Sequence, residues 1–212
     1  RFFNGHRQPS RARITRVKDE LKPYSKNYLA NHYIMTLLLN KIKTMLAGSH
    51  NPTTAVMGEE SIMSQKAHGT SAVPVQENLR WNCNRDEANK IANYNRHYAE
   101  HSGYFQTRVN FLQEAENANQ IQFYDSNTGK SLFTIGGNVG STKRSIQEFL
   151  EESRKHGWPS FRDEEVNWEN VRVLKNGETV SVDGTHLGHN LPDGKGSRYC
   201  INLVCIAGRP NE

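Results

Sequence analysis

Cysteines and hydrophobic residues are both scarce in this chain. Its 212 residues include three cysteines and are 35% hydrophobic, with a mean hydropathy of −0.79. A small, odd number of cysteines argues against a disulfide framework and indicates a reducing compartment, cytoplasmic or organellar, with one working thiol. No apolar run reaches the ~18 residues that cross a bilayer, so we expect no membrane span.

Acidic residues are absent from the first 18 positions. That stretch carries six basic residues, Arg1, Arg7, Arg11, Arg13, Arg16 and Lys18, whereas the whole chain has a net charge of +5. A basic run of this kind is typical of a solvated tail. The charge is therefore weak evidence for nucleic acid, and we expect no nucleic-acid partner.

Apolar positions are sparse in the first third of the chain, apart from residues 33–46. That patch indicates either an amphipathic helix on the domain or part of an organelle-targeting segment. The surrounding sequence has linker character. We predict a largely irregular N-terminal extension over residues 1–74 and a folded domain over residues 75–212.

The chain beyond residue 75 contains short segments separated by turn signals. The pattern predicts two helices, one capped by Asn84 or Asp86 and one from Ser141 or Thr142 to about residue 155, ended by Gly157. Strands are predicted at residues 121–125, 131–135, 170–174, 179–182 and 199–207. The fold class predicted is mainly β (α+β), with helices added to antiparallel sheets.

Three clusters between His156 and Gly208 concentrate the usable chemistry. They are GWPSF at residues 157–161, GTHLGH at residues 184–189 and RYCIN at residues 198–202. Each combines reactive or aromatic side chains with residues that fix the backbone. Taken singly, Cys200 is more simply a buried structural thiol and Trp158 a core aromatic.

The histidines of the second cluster can be interpreted in three ways. On a regular strand His186 and His189 would face opposite sides, but Gly188 between them permits a bulge that brings them together. The pair could then bind a metal with Cys200 as third ligand, or serve acid catalysis beside a thiolate. The simplest alternative is two loop histidines hydrogen-bonded to the backbone.

The order and spacing of the three clusters resemble the B-type methionine-R-sulfoxide reductases, the MsrB family, over roughly residues 121–207. The resemblance implies the β-tent of antiparallel sheets found in that family. It also implies reduction of methionine-R-sulfoxide, free or in oxidised proteins, through a sulfenic acid at Cys200. No other part of the chain carries a comparable motif.

Seven motif residues make up the expected site. The resemblance implies that the histidines lie beside the substrate oxygen, where imidazole can donate a proton, and that Trp158 forms an apolar wall for the methyl group. Independently, Arg198 lies on the same strand face as Cys200, where a cation lowers a thiol pKa. The catalytic set is Cys200, His186, His189 and Asn202, and the substrate-binding set is Trp158, Phe161 and Arg198.

The sequence departs from the family where many members hold a structural zinc with two CxxC pairs. The corresponding positions here are Asp125, Thr128, Val180 and Asp183. They do not supply four good donors for a tetrahedral site, so no metal is expected. We expect hydrophobic packing, including that of the predicted helix ending near residue 155, to provide the stabilisation.

A resolving cysteine is also missing, because His156 stands where many members carry one. On the predicted last strand, Cys205 would face away from Cys200 at roughly 16 Å, beyond the about 7 Å that a disulfide allows between Cα atoms. Cys83 is the remaining candidate resolving cysteine. We therefore predict a monomeric one-cysteine enzyme without a cofactor, reduced by an external thiol such as thioredoxin or glutathione.

The sequence also allows two other hypotheses. The chain could be a catalytically weak MsrB-like protein that binds oxidised protein segments or senses peroxide through Cys200. It could also be a metal-binding β-domain that uses the two histidines and Cys200. Residues 95–105, rich in polar and aromatic side chains, are either a helix end stopped at Gly103 or a substrate-binding lid.

Overall fold

The computed structural model describes residues 55–137 and 144–210. All of them belong to one compact unit, His50–Glu212. The predictions for residues 1–54, including the apolar patch at 33–46, and the predicted caps Ser141 and Thr142 lie outside the described residues. No helix in the described ranges has the length and apolar character needed to cross a bilayer.

The strands form two antiparallel sheets, in agreement with the predicted pattern. A hairpin joins β1 and β2, and a second sheet has the order β3-β7-β6-β5-β4. The predicted strands at 121–125, 131–135, 170–174 and 179–182 are confirmed to within about two residues at each end. The observed strands are β1 (Gln120–Tyr124), β2 (Ser131–Gly136), β3 (Ser160–Phe161), β4 (Val171–Val173), β5 (Glu178–Ser181), β6 (His186–Asn190) and β7 (Tyr199–Ile201).

Helices are short except for one, and the class is mixed α+β. The α-helices are α1 (Arg85–Asn89), α2 (Tyr104–Thr107), α3 (Phe111–Ala115) and α4 (Ile146–His156). A π-helical turn, Lys90–Tyr94, extends α1. The 3₁₀ turns are Glu60–Met63, Arg80–Asn82, Asp163–Glu165 and Leu203–Cys205.

Side-chain caps set where α1 and α4 begin. The Asn84 side chain accepts a hydrogen bond from the Glu87 amide at 2.9 Å, which confirms the predicted cap of α1. Ser145 and Glu148 form a capping box, so α4 begins after Ser145 rather than after Ser141 or Thr142. Gly157 ends α4 with φ of 87°, as predicted.

The predicted last strand, residues 199–207, is wrong beyond Ile201. The chain turns there into the 3₁₀ segment Leu203–Cys205. The amides of Leu203 and Val204 donate to the Glu100 carboxylate at 2.9 and 3.1 Å instead of to a neighbouring strand. The apolar run continues beyond Ile201, but the strand ends there because the Glu100 carboxylate accepts the backbone amides that follow.

A cluster of phenylalanines joins the two sheets and α4. Phe161 of β3 stacks on Phe133 of β2 with ring centroids 4.2 Å apart. It also lies 5.1 Å from Phe123 of β1 and 5.0 Å from Phe149 of α4. All four side chains are fully buried, which makes this cluster the centre of the hydrophobic core.

A polar network around Asp125 also links the β1–β2 hairpin to the turn before β6. Asp125 is fully buried and accepts hydrogen bonds from the Thr185 hydroxyl at 2.9 Å, the Asn127 amide at 2.8 Å and the Ser181 side chain. Nearby, Lys130 and Asp183 form an exposed ion pair at 2.9 Å. Hydrophobic packing was expected to provide the stabilisation here, and the hydrogen bonds to Asp125 contribute to it as well.

Residues 55–74, predicted as part of an irregular extension, contact the five-stranded sheet. The Gly58 amide donates to the Val173 carbonyl at 2.9 Å, and the Val173 amide donates to the Val56 carbonyl at 3.0 Å. Met63, 5% exposed, packs with Leu174 and Val180. The described part of this segment is therefore joined to β4 and its neighbour.

Replacing Asp125 by alanine should lower the free energy of unfolding by about 1–3 kcal/mol, because it leaves buried donors without an acceptor. Chemical denaturation of the purified chain measures this. Lys130→Ala is the control: it breaks only the exposed ion pair with Asp183 and should cost about 0–1 kcal/mol. Equal losses in the two variants would contradict the role given to Asp125.

Candidate functional site

The three sequence clusters meet at Cys200, in the middle of β7. Cys200 pairs with Ser160 of β3 on one side and with His189 of β6 on the other. The GWPSF, GTHLGH and RYCIN motifs thus lie side by side in one sheet. Tyr199 and Ile201 are buried on either side of Cys200, which itself is only partly buried.

A bulge in β6 brings the two histidines together. Thr179 pairs with Gly188 but Val180 pairs with His186, so one extra residue of β6 lies between the pairs. The rings of His186 and His189 are 5.6 Å apart in an edge-on arrangement. A Cβ at Gly188 would lie 2.0 Å from the Cys200 carbonyl oxygen, so this close approach of β6 to β7 requires glycine.

His186 is held by a buried carboxylate. Its Nδ1 lies 2.7 Å from Glu178 Oε1, and Arg96 binds the same carboxylate at 2.5 Å. Burial alone would raise the pKa of Glu178, but the hydrogen bonds from His186 and Arg96 outweigh it and lower that pKa to about 2. Glu178 therefore stays ionised and fixes the orientation of the His186 ring.

His189, by contrast, is only partly buried. Burial lowers the pKa of His189, and the neighbouring His186 lowers it further. The ring is therefore mainly neutral at neutral pH, with one nitrogen as a hydrogen-bond donor and the other as an acceptor.

The surroundings of the Cys200 thiol shift its pKa in both directions. Burial raises the pKa of Cys200, while the charge and hydrogen bond of Arg198 lower it and Glu100 raises it. The net pKa is raised. Arg198 acts in the direction the sequence predicts, but its effect is smaller than that of burial.

Asp193 sits beside Arg198. Asp193 Oδ2 lies 3.7 Å from Arg198 Nε and 2.8 Å from Arg162 Nη2. The hydrogen bond from Arg162 holds the pKa of Asp193 at about 2, so its charge is permanent at neutral pH. This places an ionised carboxylate against the guanidinium that adjoins the thiol.

Glu100 joins Trp158 and Asn202, and sequence reasoning missed it. The Trp158 Nε1 donates to the Glu100 carbonyl at 3.0 Å, and the Glu100 amide donates to Asn202 Oδ1 at 3.1 Å. Asn202 Nδ2 donates to the Leu187 carbonyl at 3.1 Å. The only sequence signal was the polar and aromatic run at 95–105, whose substrate-binding interpretation includes this residue.

Phe161 and Cys83 were predicted as site residues, but their side chains belong to the hydrophobic core. Phe161 is fully buried in the phenylalanine cluster, so its side chain is a core aromatic. Cys83 is 9% exposed, and burial together with Glu100 raises its thiol pKa strongly. Cys205 is fully buried and its pKa is raised as well, first by burial.

The metal hypothesis for the two histidines and Cys200 gains no geometric support. Within residues 55–137 and 144–210, the one group of three metal-ligating side chains whose donor atoms lie within 4.8 Å of one another is Glu152, His156 and Asp193. Both carboxylates of that group already bind Arg162.

Comparison with known proteins finds curated relatives that share one name. Two curated relatives, from Pseudomonas entomophila (strain L48) and Pseudomonas putida (strain GB-1), are both named peptide methionine sulfoxide reductase MsrB. Each is 39% identical over 66 residues, which cover 26% of this chain and 50% of the relative. Over that stretch the chain is MsrB-like. The chain spans about half the length of the curated relatives it matches.

Other comparisons find no match. No family model matches the chain, and no solved structure matches it significantly. The MsrB-like relationship therefore rests on the sequence alignment, and the finer assignments rest on the geometry of the site.

Replacing Glu178 by glutamine should reduce stability most at neutral pH. The pKa of Glu178 is lowered from its ordinary 4.5 to about 2, so its stabilising contribution is present above 4.5 and is lost as the pH falls towards 2. The difference in unfolding free energy between the unmodified chain and Glu178→Gln should therefore shrink from pH 7 to pH 3.

Glu77→Gln provides the control for this titration. Glu77 pairs with Arg85 but its side chain is 80% exposed, so its removal should cost little at any pH. Denaturation curves at four pH values between 7 and 3 measure both differences. A constant Glu178→Gln difference across this range would contradict the coupling to Arg96 and His186.

Proposed function

We propose that this protein reduces methionine-R-sulfoxide, free or in oxidised proteins, to methionine with Cys200 as the reacting thiol. The observation that carries the proposal is the register of β7, which puts Cys200 between the GWPSF strand and the two-histidine strand. The MsrB-like relationship supports the same reaction, and the proposal extends to the β-tent architecture of that family.

The reaction transfers one oxygen atom from the substrate to the enzyme. The Cys200 thiolate attacks the sulfoxide sulfur and forms an S–S bond, while the sulfoxide oxygen takes up a proton. The resulting hydroxyl group then transfers to the Cys200 sulfur as the S–S bond and the S–O bond to the substrate sulfur break. The sulfoxide is reduced to the thioether, and Cys200 is oxidised to a sulfenic acid. Two equivalents of an external thiol then restore the Cys200 thiol and release water and a disulfide.

The histidines fit the proton-donor role in this reaction. Glu178 accepts a hydrogen bond from Nδ1 of His186, so this ring delivers a proton to the substrate oxygen through Nε2, which carries one when the ring is an imidazolium. His189 lies next to Cys200 in the ladder, and its neutral ring can hydrogen-bond the oxygen. We assign His186 and His189 to proton delivery and hydrogen bonding at the departing oxygen, and Asn202 to positioning in the site.

Trp158 and Arg198 flank the reacting sulfur in the proposal. Trp158 is partly exposed and is fixed through its indole nitrogen, which suits an apolar wall for the substrate methyl group. Contact between sulfur and an aromatic ring contributes about 0.3–1.5 kcal/mol. Arg198 opposes the effect of burial on the Cys200 pKa and favours the thiolate.

The reductant in the proposal is an external thiol, such as thioredoxin or glutathione. Cys83 and Cys205 are both buried, and their strongly raised thiol pKa values make them poor partners for exchange. The enzyme is then of the one-cysteine type and acts as a monomer without a bound cofactor.

A second candidate function follows from the raised pKa of Cys200. A smaller thiolate fraction at neutral pH slows the attack on a sulfoxide. The alternative is thus a catalytically weak protein that binds oxidised protein segments or senses peroxide through the same thiol. Turnover with dithiothreitol as reductant separates the two.

The purified chain with dithiothreitol should reduce the R epimer of a methionine sulfoxide substrate and leave the S epimer unchanged. A site fixed by Trp158 and the two histidines accepts one arrangement of oxygen and methyl group. Chiral chromatography of the remaining substrate measures both rates. Cys200→Ser is the matched control and should show no turnover; equal rates on both epimers would contradict the assignment.

The other cysteines should not be needed for turnover. Cys83→Ser should retain full activity with thioredoxin, and Cys205→Ser should retain the chemistry with some loss of stability from the altered core. Mass spectrometry after one equivalent of substrate should find a sulfenic acid on Cys200. A disulfide between Cys83 and Cys200 would show instead that Cys83 is a resolving cysteine.

A further inference from the structure

Glu100 is a buried acid that contacts three parts of the site. Its carboxylate accepts the amides of Leu203 and Val204, which lie just beyond β7. Its own carbonyl and amide bind Trp158 and Asn202. The side chain thus anchors the segment, and the backbone of the same residue holds two groups of the proposed site.

Among the described residues that influence the titration of Glu100, none is a cation that pairs with its carboxylate. Burial raises the pKa of Glu100 to about 8, and the two amides only partly oppose that effect. Glu178 shows the contrast, because it is equally buried but pairs with Arg96. The titratable groups that Glu100 faces are Glu87, Cys83, Tyr104, Cys200 and Cys205.

We propose that Glu100 is a positioning residue, which fixes the Trp158 indole and the Asn202 amide around Cys200 and, once it is ionised, opposes formation of the Cys200 thiolate with its charge. This proposal rests on the proposed function only in taking Cys200 as the reacting thiol. The segment that contains Glu100, which precedes the three motifs in the chain, then helps to position groups of the site.

Two consequences distinguish this role from simple stabilisation. Loss of the side-chain anchor lets the Glu100 backbone shift, and with it the hydrogen bonds to Trp158 and Asn202, which weakens substrate binding more than it slows the chemistry. Loss of the charge makes the Cys200 thiolate easier to form. A residue that served the core alone would alter the melting temperature without moving the pH profile of Cys200.

Glu100→Gln tests both consequences. Glutamine keeps the size of the side chain, removes the charge and presents an N–H group towards one of the two amides. The pH midpoint of Cys200 alkylation by iodoacetamide, followed by peptide mass spectrometry, should fall by roughly one pH unit. KM for the R-sulfoxide should rise at least about tenfold, with a smaller change in kcat.

Glu87→Gln is the matched control. It removes a nearby carboxylate of α1 that faces Glu100 but makes none of the four contacts to the site segment. Its alkylation midpoint and KM should equal those of the unmodified chain. A folded Glu100→Gln protein with an unchanged midpoint or an unchanged KM overturns the proposal.

A measurement on the unmodified chain covers the case in which Glu100→Gln does not fold. The indole N–H of Trp158 should exchange with solvent far more slowly than that of an exposed tryptophan, because it donates to the Glu100 carbonyl. Exchange at the exposed rate overturns the proposal. Absence of sulfoxide turnover in the unmodified chain would refute the proposed function alone, since alkylation and exchange need no substrate.

Discussion

The pairing of β7 with two neighbours is the constraint on which the site depends. Three residues, Tyr199–Ile201, pair with β3 on one side and β6 on the other. The alternation of a strand buries Tyr199 and Ile201 and leaves Cys200 partly accessible between them. The pairing that holds the sheet together therefore also leaves the Cys200 thiol accessible. Gly188 makes the pairing of β6 with β7 possible, because any larger residue would collide with the Cys200 backbone.

Two buried glutamates give the site one permanent and one titratable charge. Glu178 is neutralised by Arg96 and stays ionised, so it orients His186 at all ordinary pH values. Glu100 has amide donors but no cation, and its pKa is raised to about 8. The contrast follows from the hydrogen bonds of His186 and Arg96 to Glu178, which have no counterpart at Glu100.

The segments outside the MsrB-like motifs are part of the same structure. Arg96 and Glu100 precede those motifs. Arg96 nevertheless contacts Glu178 of β5, the neighbour of the histidine strand, and Glu100 contacts Leu203 just beyond β7. Asp125 accepts hydrogen bonds from Thr185 and neighbouring groups. This polar network and the phenylalanine cluster thus connect the β1–β2 hairpin to the five-stranded sheet.

The sequence alone determined the local elements and the chemistry of the motifs. Periodicity and turn residues located the hairpin, most strands and the Gly157 end of α4, because those signals act over a few neighbouring residues. The order of three motifs indicated Cys200, His186 and His189. Only the tertiary structure decided that Phe161 is core, that β7 ends at Ile201 and that Glu100 and Glu178 face the site. Those outcomes depend on contacts between residues far apart in the chain, such as Glu100 with Leu203, and no local pattern records them.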